Sequence, residues 1–407
     1  MEARRYAPPR VRSGFLMKLL IAMALVEFVK GALLVAVLPV YASGKLGLSA
    51  SALGFAFALQ YVGDNACRAP VGRMLDRYGY RLPMALGLAV TVLAVALLAA
   101  ANGPLALLAG CLLLGAGTSP LWPCAAAGAT ETAGREGSGS ALSAVYVASF
   151  AGTGAGPVAV GWLAGGGAMA GAFPLLLGFA AAALLLALLL PPGAPRRAEE
   201  APASGAGVRG LLSGIACAVR RLRGSRLLVP AMFLQTLALG LLTPVVTLYA
   251  REELGLTAGE FSTLLLAGGA ATLGLLLVAG RLSDRLGPRP LLLVGVPAAA
   301  AATAYFAAVH TRPQLYAAVA AVAFGYALLI PSWNAFVARA IPDDLRGAAW
   351  GAALAIEGTG FVIGPIVSGW AWEHASRRAP FLLSGAALAA LFVLYLFISF
   401  RKTDMVR

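Results

Sequence analysis

Charge is scarce in this sequence. Only 12% of its 407 residues are Asp, Glu, Lys or Arg, about half the ~25% of an ordinary soluble protein. Histidine is nearly missing, with only His310 and His374, both near expected loops. The four cysteines, Cys67, Cys111, Cys124 and Cys217, form no C-x-x-C pair. That excludes a zinc site and a disulfide framework. Three of the four lie in apolar stretches and read as small core residues. No nucleophile–base pair, metal cluster or Gly-rich phosphate loop is visible, so neither an enzyme nor a bound cofactor or metal is expected. Lysine is rare too: 4 against 27 arginines, a bias of GC-rich coding. The net charge is +14, yet no basic patch is interleaved with base-stacking aromatics, which argues against nucleic acid.

What is abundant is apolar sequence, 60% of residues, with 49 glycines and 24 prolines. This is far more than a disordered chain carries, and the runs are too long for helices facing water. A membrane crossing needs ~20 apolar residues. Twelve stretches qualify, at 15–39, 50–71, 82–101, 104–128, 141–163, 171–191, 226–250, 258–280, 290–309, 313–339, 347–371 and 379–400. The fold class is therefore all-α membrane protein. The first run is too long for a cleaved signal peptide. One long connection, 192–225, carries PPGAPRRAEEAPASGAG and then turns basic. It reads as a linker followed by a short helix on the membrane surface. The expected domains are residues 1–191, the linker 192–225, and residues 226–407.

With both termini on one side, that side receives 24 of the lysines and arginines and the other receives five, while Lys30 and Arg68 lie within spans. Basic loops stay in the cytoplasm, so both termini and the linker are expected there.

The two halves are repeats. Gly72-Arg73-Met74-Leu75-Asp76-Arg77-Tyr78-Gly79 returns as Gly280-Arg281-Leu282-Ser283-Asp284-Arg285-Leu286-Gly287, offset by 208. Gly156-Pro157 with Gly161-Trp162 returns as Gly364-Pro365 with Gly369-Trp370, and Tyr41-Ala42 returns as Tyr249-Ala250, at the same offset. Parallel six-span repeats place a substrate path at their interface.

The repeated G-x-L-x-D-R-x-G loop resembles the major facilitator superfamily over nearly the whole chain. The resemblance implies two parallel six-helix bundles that transport by alternating access, normally as a monomer. It also implies a cytoplasmic latch formed by Gly72, Arg73, Asp76, Arg77, Gly79, Gly280, Asp284 and Arg285. An aspartate can accept hydrogen bonds at a helix N-terminus, and an arginine can pair with acidic groups on a neighbouring bundle. Gly72 and Gly79 suit a close approach and a turn. Gly152-x-Gly154-x-Gly156-Pro157 is similar to the antiporter motif of the family's drug exporters, though small residues equally serve helix packing.

Charges inside a bilayer are costly and usually functional. Glu27 and Lys30 are three apart, and Asp64 and Arg68 four apart, so each pair shares a helix face. Glu27 and Asp64 are the expected proton-titrating groups, with Lys30 and Arg68 as partners and a proton gradient as the driving force. The second half offers only Glu357, beside apolar candidates such as Phe233, Leu234, Leu237, Leu241, Phe324, Leu328 and Leu329. That asymmetry suits an amphipathic substrate. Trp162, Trp370 and Trp372 lie near span ends and read as interfacial anchors. Trp122 and Trp333 lie deeper and read as cavity residues.

A closer likeness follows. Glu27-Phe28-x-Lys30-Gly31, Asp64, Ser119-Pro120-Leu121-Trp122, Val145-Tyr146, Leu234-Gln235, Pro331-Ser332-Trp333-Asn334 and Trp350-Gly351 resemble the lipoteichoic-acid glycolipid-anchor flippases. This implies proton-coupled antiport of a diglucosyl-diacylglycerol across a bacterial cytoplasmic membrane. Lys30 stands where that group carries arginine, and Tyr146 and Glu357 also differ from its pattern. The implied substrate contacts are Trp122, Tyr146, Gln235, Trp333, Asn334 and Glu357, with membrane lipids as surroundings. A multidrug-type proton antiporter for lipophilic molecules is the alternative.

Overall fold

The computed structural model describes residues 11–163, 171–191, 225–340 and 346–401. The linker and its expected surface helix lie outside these residues, as do the two chain ends.

α1 (Val11–Gly31) runs into a π-helical turn, Ala32–Val37, and on into α2 (Leu38–Gly44). Pro39 has no N–H to give back to the preceding turn, and the helix widens just before it. The helices that follow are α3 (Ala50–Tyr78), α4 (Arg81–Ala99), α5 (Pro104–Thr118), α6 (Leu121–Leu163) and α7 (Ala172–Leu188). The second half repeats the order. α8 (Ser225–Leu242) and α9 (Val246–Glu252) flank a break that contains Pro244. Then come α10 (Ala258–Leu286), α11 (Pro288–Tyr305), α12 (Arg312–Ala340), α13 (Arg346–His374) and α14 (Ala379–Arg401).

The link between the fourth and fifth spans is largely helical, and α6 covers Leu121–Leu163. The helix nevertheless doubles back. Trp122 and Tyr146 would lie about 36 Å apart in a straight helix, but their ring centroids are 4.8 Å apart. Gly128 meets Leu19 of α1, and Gly152 meets Ala24 only five residues further along. α6 therefore supplies two spans. Among the described residues, nine helical stretches are long and apolar enough to cross a membrane. The shorter α7 and the more polar α3 and α13 bring the crossings to the expected twelve.

The duplication is visible in the backbone. The left-handed glycines among the described residues are Gly47 and Gly255 (φ 60° each), and Gly79 (φ 71°) and Gly287 (φ 78°). Each pair is one repeat apart. Tyr41 donates to the carbonyl of Ala101 and sets its ring 5.2 Å from Phe173. Its counterpart Tyr249 donates to Phe306 and sets its ring 4.6 Å from Phe381.

Two compact units result, one from the described parts of Met1–Gly47 and Leu59–Glu199, the other from those of Leu48–Ala58 and Glu200–Arg407. The first is centred on Leu19, Met23, Val26, Leu88, Cys124 and Val145. The second is centred on Met232, Leu292, Val296, Leu329, Leu391 and Tyr395. Within the second unit the first turns of α3 lie against the end of α13. Glu373 accepts from the Ser51 N–H (2.9 Å) and from the Ser51 hydroxyl (2.6 Å). A carboxylate there meets the positive end of the helix dipole.

The motif glycines differ in what they do. Gly79 holds a left-handed turn, whereas a Cβ on Gly72 would meet nothing within 4 Å. Gly72 thus makes no close approach. Gly79→Ala is expected to cost about 1–2 kcal/mol. Gly72→Ala, inside α3, is expected to stabilise by about 0.5–1 kcal/mol. Thermal unfolding in detergent should show melting points moving in opposite directions.

Candidate functional site

The ionisable residues named from sequence meet in the first unit. Glu27 and Lys30 stand one turn apart on α1, with Lys30 Nζ 3.5 Å from Glu27 Oε1. The glycine-rich second span of α6 approaches so closely that Thr153 donates its hydroxyl to Glu27 Oε2 at 2.9 Å. That approach requires small residues. A Cβ on Gly31 would lie 2.4 Å from the Thr153 carbonyl oxygen, and one on Gly156 would lie 2.2 Å from that of Phe28. Glu27 is 8% exposed, and both its oxygens are engaged.

On α3, Arg68 Nη2 pairs with Asp64 Oδ2 at 2.8 Å, and Ser119, at the α5–α6 break, donates to the Asp64 carbonyl oxygen at 3.0 Å. Gly115 makes this crossing possible, since a Cβ there would overlap the Gln60 carbonyl oxygen and come within 2.9 Å of the Asp64 amide nitrogen. The two ion pairs form one electrostatic group: Lys30 interacts with Asp64, Tyr61 and Arg68 as well as with Glu27. Pairs this desolvated persist only with added hydrogen bonds, which Thr153 supplies to the Glu27 carboxylate.

Sequence reasoning did not single out Thr153, Tyr61 or Gln60. Gln60 is fully buried, and neither polar atom of its side chain has a hydrogen-bond partner among the described residues. The spacing Gln60–Asp64–Arg68, at every fourth residue, was the available signal.

Trp122 and Tyr146 form an edge-to-face pair, and Tyr146 stacks at 6.2 Å on Phe150. Trp122 is half-buried, while Tyr146 and Phe150 are exposed at 37% and 39%. These rings form an aromatic strip in the same unit as the charges.

The second unit treats its named residues differently. Trp333 reads as a core residue rather than a cavity one. It is 2% exposed and packed in the core with Tyr326, Leu329 and Phe336. Its position falls on the apolar face of α12, which turns inward as a whole. Leu241 and Leu329 are likewise core residues, and Gln235 is 8% exposed. Asn334, the next position round α12, is exposed, and Glu357 is partly buried. Trp372 is no interfacial anchor, because it is 8% exposed and packs on Tyr249. Trp162 and Trp370 are more than half exposed.

Of the loop motifs, Arg73, Asp76 and Arg77 are exposed, and Arg77 lies over the Tyr78 ring at 5.3 Å. Arg285 is exposed and Gly280 partly buried. The Asp284 side chain lies outside the described residues. No group of three or more His, Cys, Asp or Glu able to hold a metal occurs among the described residues.

Comparison with known proteins agrees with this architecture. Proteins named proton-coupled antiporter flippase LtaA are among its relatives. The one from Staphylococcus saprophyticus is 25% identical over 385 residues, covering 93% of this chain and 92% of the relative. The one from Staphylococcus aureus (strain USA300) is 23% identical, with 86% of each chain covered. The nucleoside transporter NupG (D323A mutant) superposes with a TM-score of 0.77 at 15% identity, over 94% of this chain and 99% of that one. The human organic anion transporter MFSD10 superposes with a TM-score of 0.67 at 18% identity, over 96% and 100%. At such identities the structures share the fold. The family model described as Major Facilitator Superfamily matches residues 19–232 and 228–405. The chain belongs to the major facilitator superfamily, and its function is transport across a membrane rather than catalysis.

Proposed function

We propose that the protein is a proton-coupled antiporter that flips an amphipathic lipid-linked sugar, of the diglucosyl-diacylglycerol class. The observation that carries this reading is the joining of two ion pairs, Glu27–Lys30 and Asp64–Arg68, with an aromatic strip in one unit. The carboxylates are the proton carriers. Either one, on taking a proton, releases its cation partner, which couples protonation to the occupant nearby. Trp122 and Tyr146 offer ring faces to the apolar C–H face of a sugar, and the indole N–H can donate to a hydroxyl. The LtaA-named relatives support the same reading.

The placement of basic residues supports cytoplasmic termini in a bacterial plasma membrane. The Asp76-Arg77 and Asp284-Arg285 segments act as the cytoplasmic latch, and the working form is a monomer.

The test is competition. Purified protein should bind a diglucosyl-diacylglycerol, and free disaccharide should displace it. Trp122→Ala should weaken binding by about tenfold, the size of a lost aromatic contact of ~1–1.5 kcal/mol. Binding insensitive to both free sugar and Trp122→Ala, but blocked by lipophilic cations, would identify a drug-type antiporter instead.

A further inference from the structure

The second unit contains two adjoining cavities that the transport site does not use. One, of about 200 Å³, lies among α9, α10, α12 and the start of α14, lined by Phe261, Leu264, Leu265, Gly269, Val319 and Phe381. The other, of about 150 Å³, is lined by Glu253, His310, Thr311, Arg312 and Arg378. They share Tyr249, Leu254 and Leu315 as walls. Both lie towards the first turns of α10, at the end of that helix away from the Gly280–Gly287 loop.

An engineered apolar cavity of about 150 Å³ holds benzene. The apolar cavity therefore has room for a segment of one acyl chain, not for a whole lipid. It is also approachable. Only 18% of the most apolar stretch of α10 is buried, against 39–61% in the other spanning stretches.

The polar cavity sets the headgroup. Arg312 pairs with Glu260 at 3.1 Å. Arg377 serves two carboxylates, Glu253 at 2.8 Å and Glu252 at 3.4 Å, and the first of these holds its guanidinium pKa above the ordinary value. Among the described residues, Arg378 forms no ion pair. Arg377 is thus shared by two carboxylates, while Arg378 is left over. Glu253 and Arg378 both line the polar cavity, which therefore carries charge of both signs. A purely anionic headgroup would match Arg378 but not Glu253.

We propose that this seam binds a zwitterionic phospholipid carrying a primary ammonium. Its phosphate meets Arg378, its ammonium meets Glu253, and one acyl chain enters the apolar cavity. The site is separate from the transport site and stands whether or not the substrate proposal does.

Two substitutions isolate it. Arg378→Gln removes the phosphate partner. Gly269→Leu fills the cavity wall: a Cβ there meets nothing within 4 Å, and leucine favours helix over glycine, so the fold is kept. Melting points would be measured in mixed micelles containing phosphatidylethanolamine, phosphatidylcholine, phosphatidylglycerol or soluble glycerophosphoethanolamine. The expected result is a clear rise with phosphatidylethanolamine, a smaller one with the other two lipids and none with the soluble headgroup. Arg378→Gln should remove the preference among headgroups, and Gly269→Leu should remove the rise itself. Equal rises with all three lipids, or rises unchanged in both variants, would overturn the proposal.

Discussion

Gly156→Leu is expected to prevent the protein from accumulating in folded form, while Gly154→Leu, two residues away in the same helix, accumulates normally. The two glycines belong to one motif but to different surroundings. A Cβ on Gly156 would lie 2.2 Å from the Phe28 carbonyl oxygen and 2.9 Å from the Ala32 amide nitrogen, whereas nothing lies within 4 Å of one on Gly154. The obstacles are backbone atoms, so no rotamer change relieves them. Overpacking ordinarily costs ~1–3 kcal/mol, occasionally more, and a blocked backbone crossing belongs at the upper end. Gly152 closes on Ala24, and the counterparts Gly360 and Gly364 close on Phe233 and Gly240. The outer glycines of the motif, which recur as Gly360 and Gly364 with Val362 in place of Gly154, therefore work as a helix-crossing device in both halves. Yield and elution profile on size exclusion would check this, and equal profiles for the two variants would contradict it.

Asp64→Asn is expected to leave fold and substrate binding in place and to abolish proton release on binding. The asparagine retains the shape of the aspartate. It also retains the Ser119 contact, which goes to the main-chain oxygen. What it loses is the titrating carboxyl and the charge-assisted bond to Arg68 at 2.8 Å. Proton release can be followed with a pH-sensitive dye in weakly buffered detergent solution. Glu27→Gln should be milder, because its amide oxygen can still accept from Thr153. Release persisting in Asp64→Asn but lost in Glu27→Gln would move the proton site onto α1 alone.

Helix number, repeat and fold class were legible because a bilayer admits few solutions. Backbone groups must be satisfied within each span, so apolar length alone counts the crossings. The 208-residue offset carried more than expected, since it placed the left-handed glycines and the Tyr41 and Tyr249 contacts as well. The ion pairs were legible because helical spacing puts Glu27 by Lys30 and Asp64 by Arg68. Partners from other helices were not legible. Thr153 reaches Glu27 only because glycines let α6 approach, and hydropathy does not rank such crossings. Trp333 misled for a related reason. Mid-span depth is the same on every face of a helix, and only packing tells the face turned to the core from the face turned elsewhere. The helical link within α6 was hidden because its middle is rich in Ala, Gly, Thr and Glu, too polar to read as a span.

The central claim is that a proton gradient drives a lipid-linked sugar across the membrane through the charged site of the first unit. The most direct measurement is translocation of a fluorescent diglucosyl-diacylglycerol in proteoliposomes, with and without a pH gradient, for the native chain and Asp64→Asn. The expected result is gradient-dependent flipping by the native protein that the variant lacks. Gradient-driven movement of a cationic dye with no movement of the glycolipid would contradict the account.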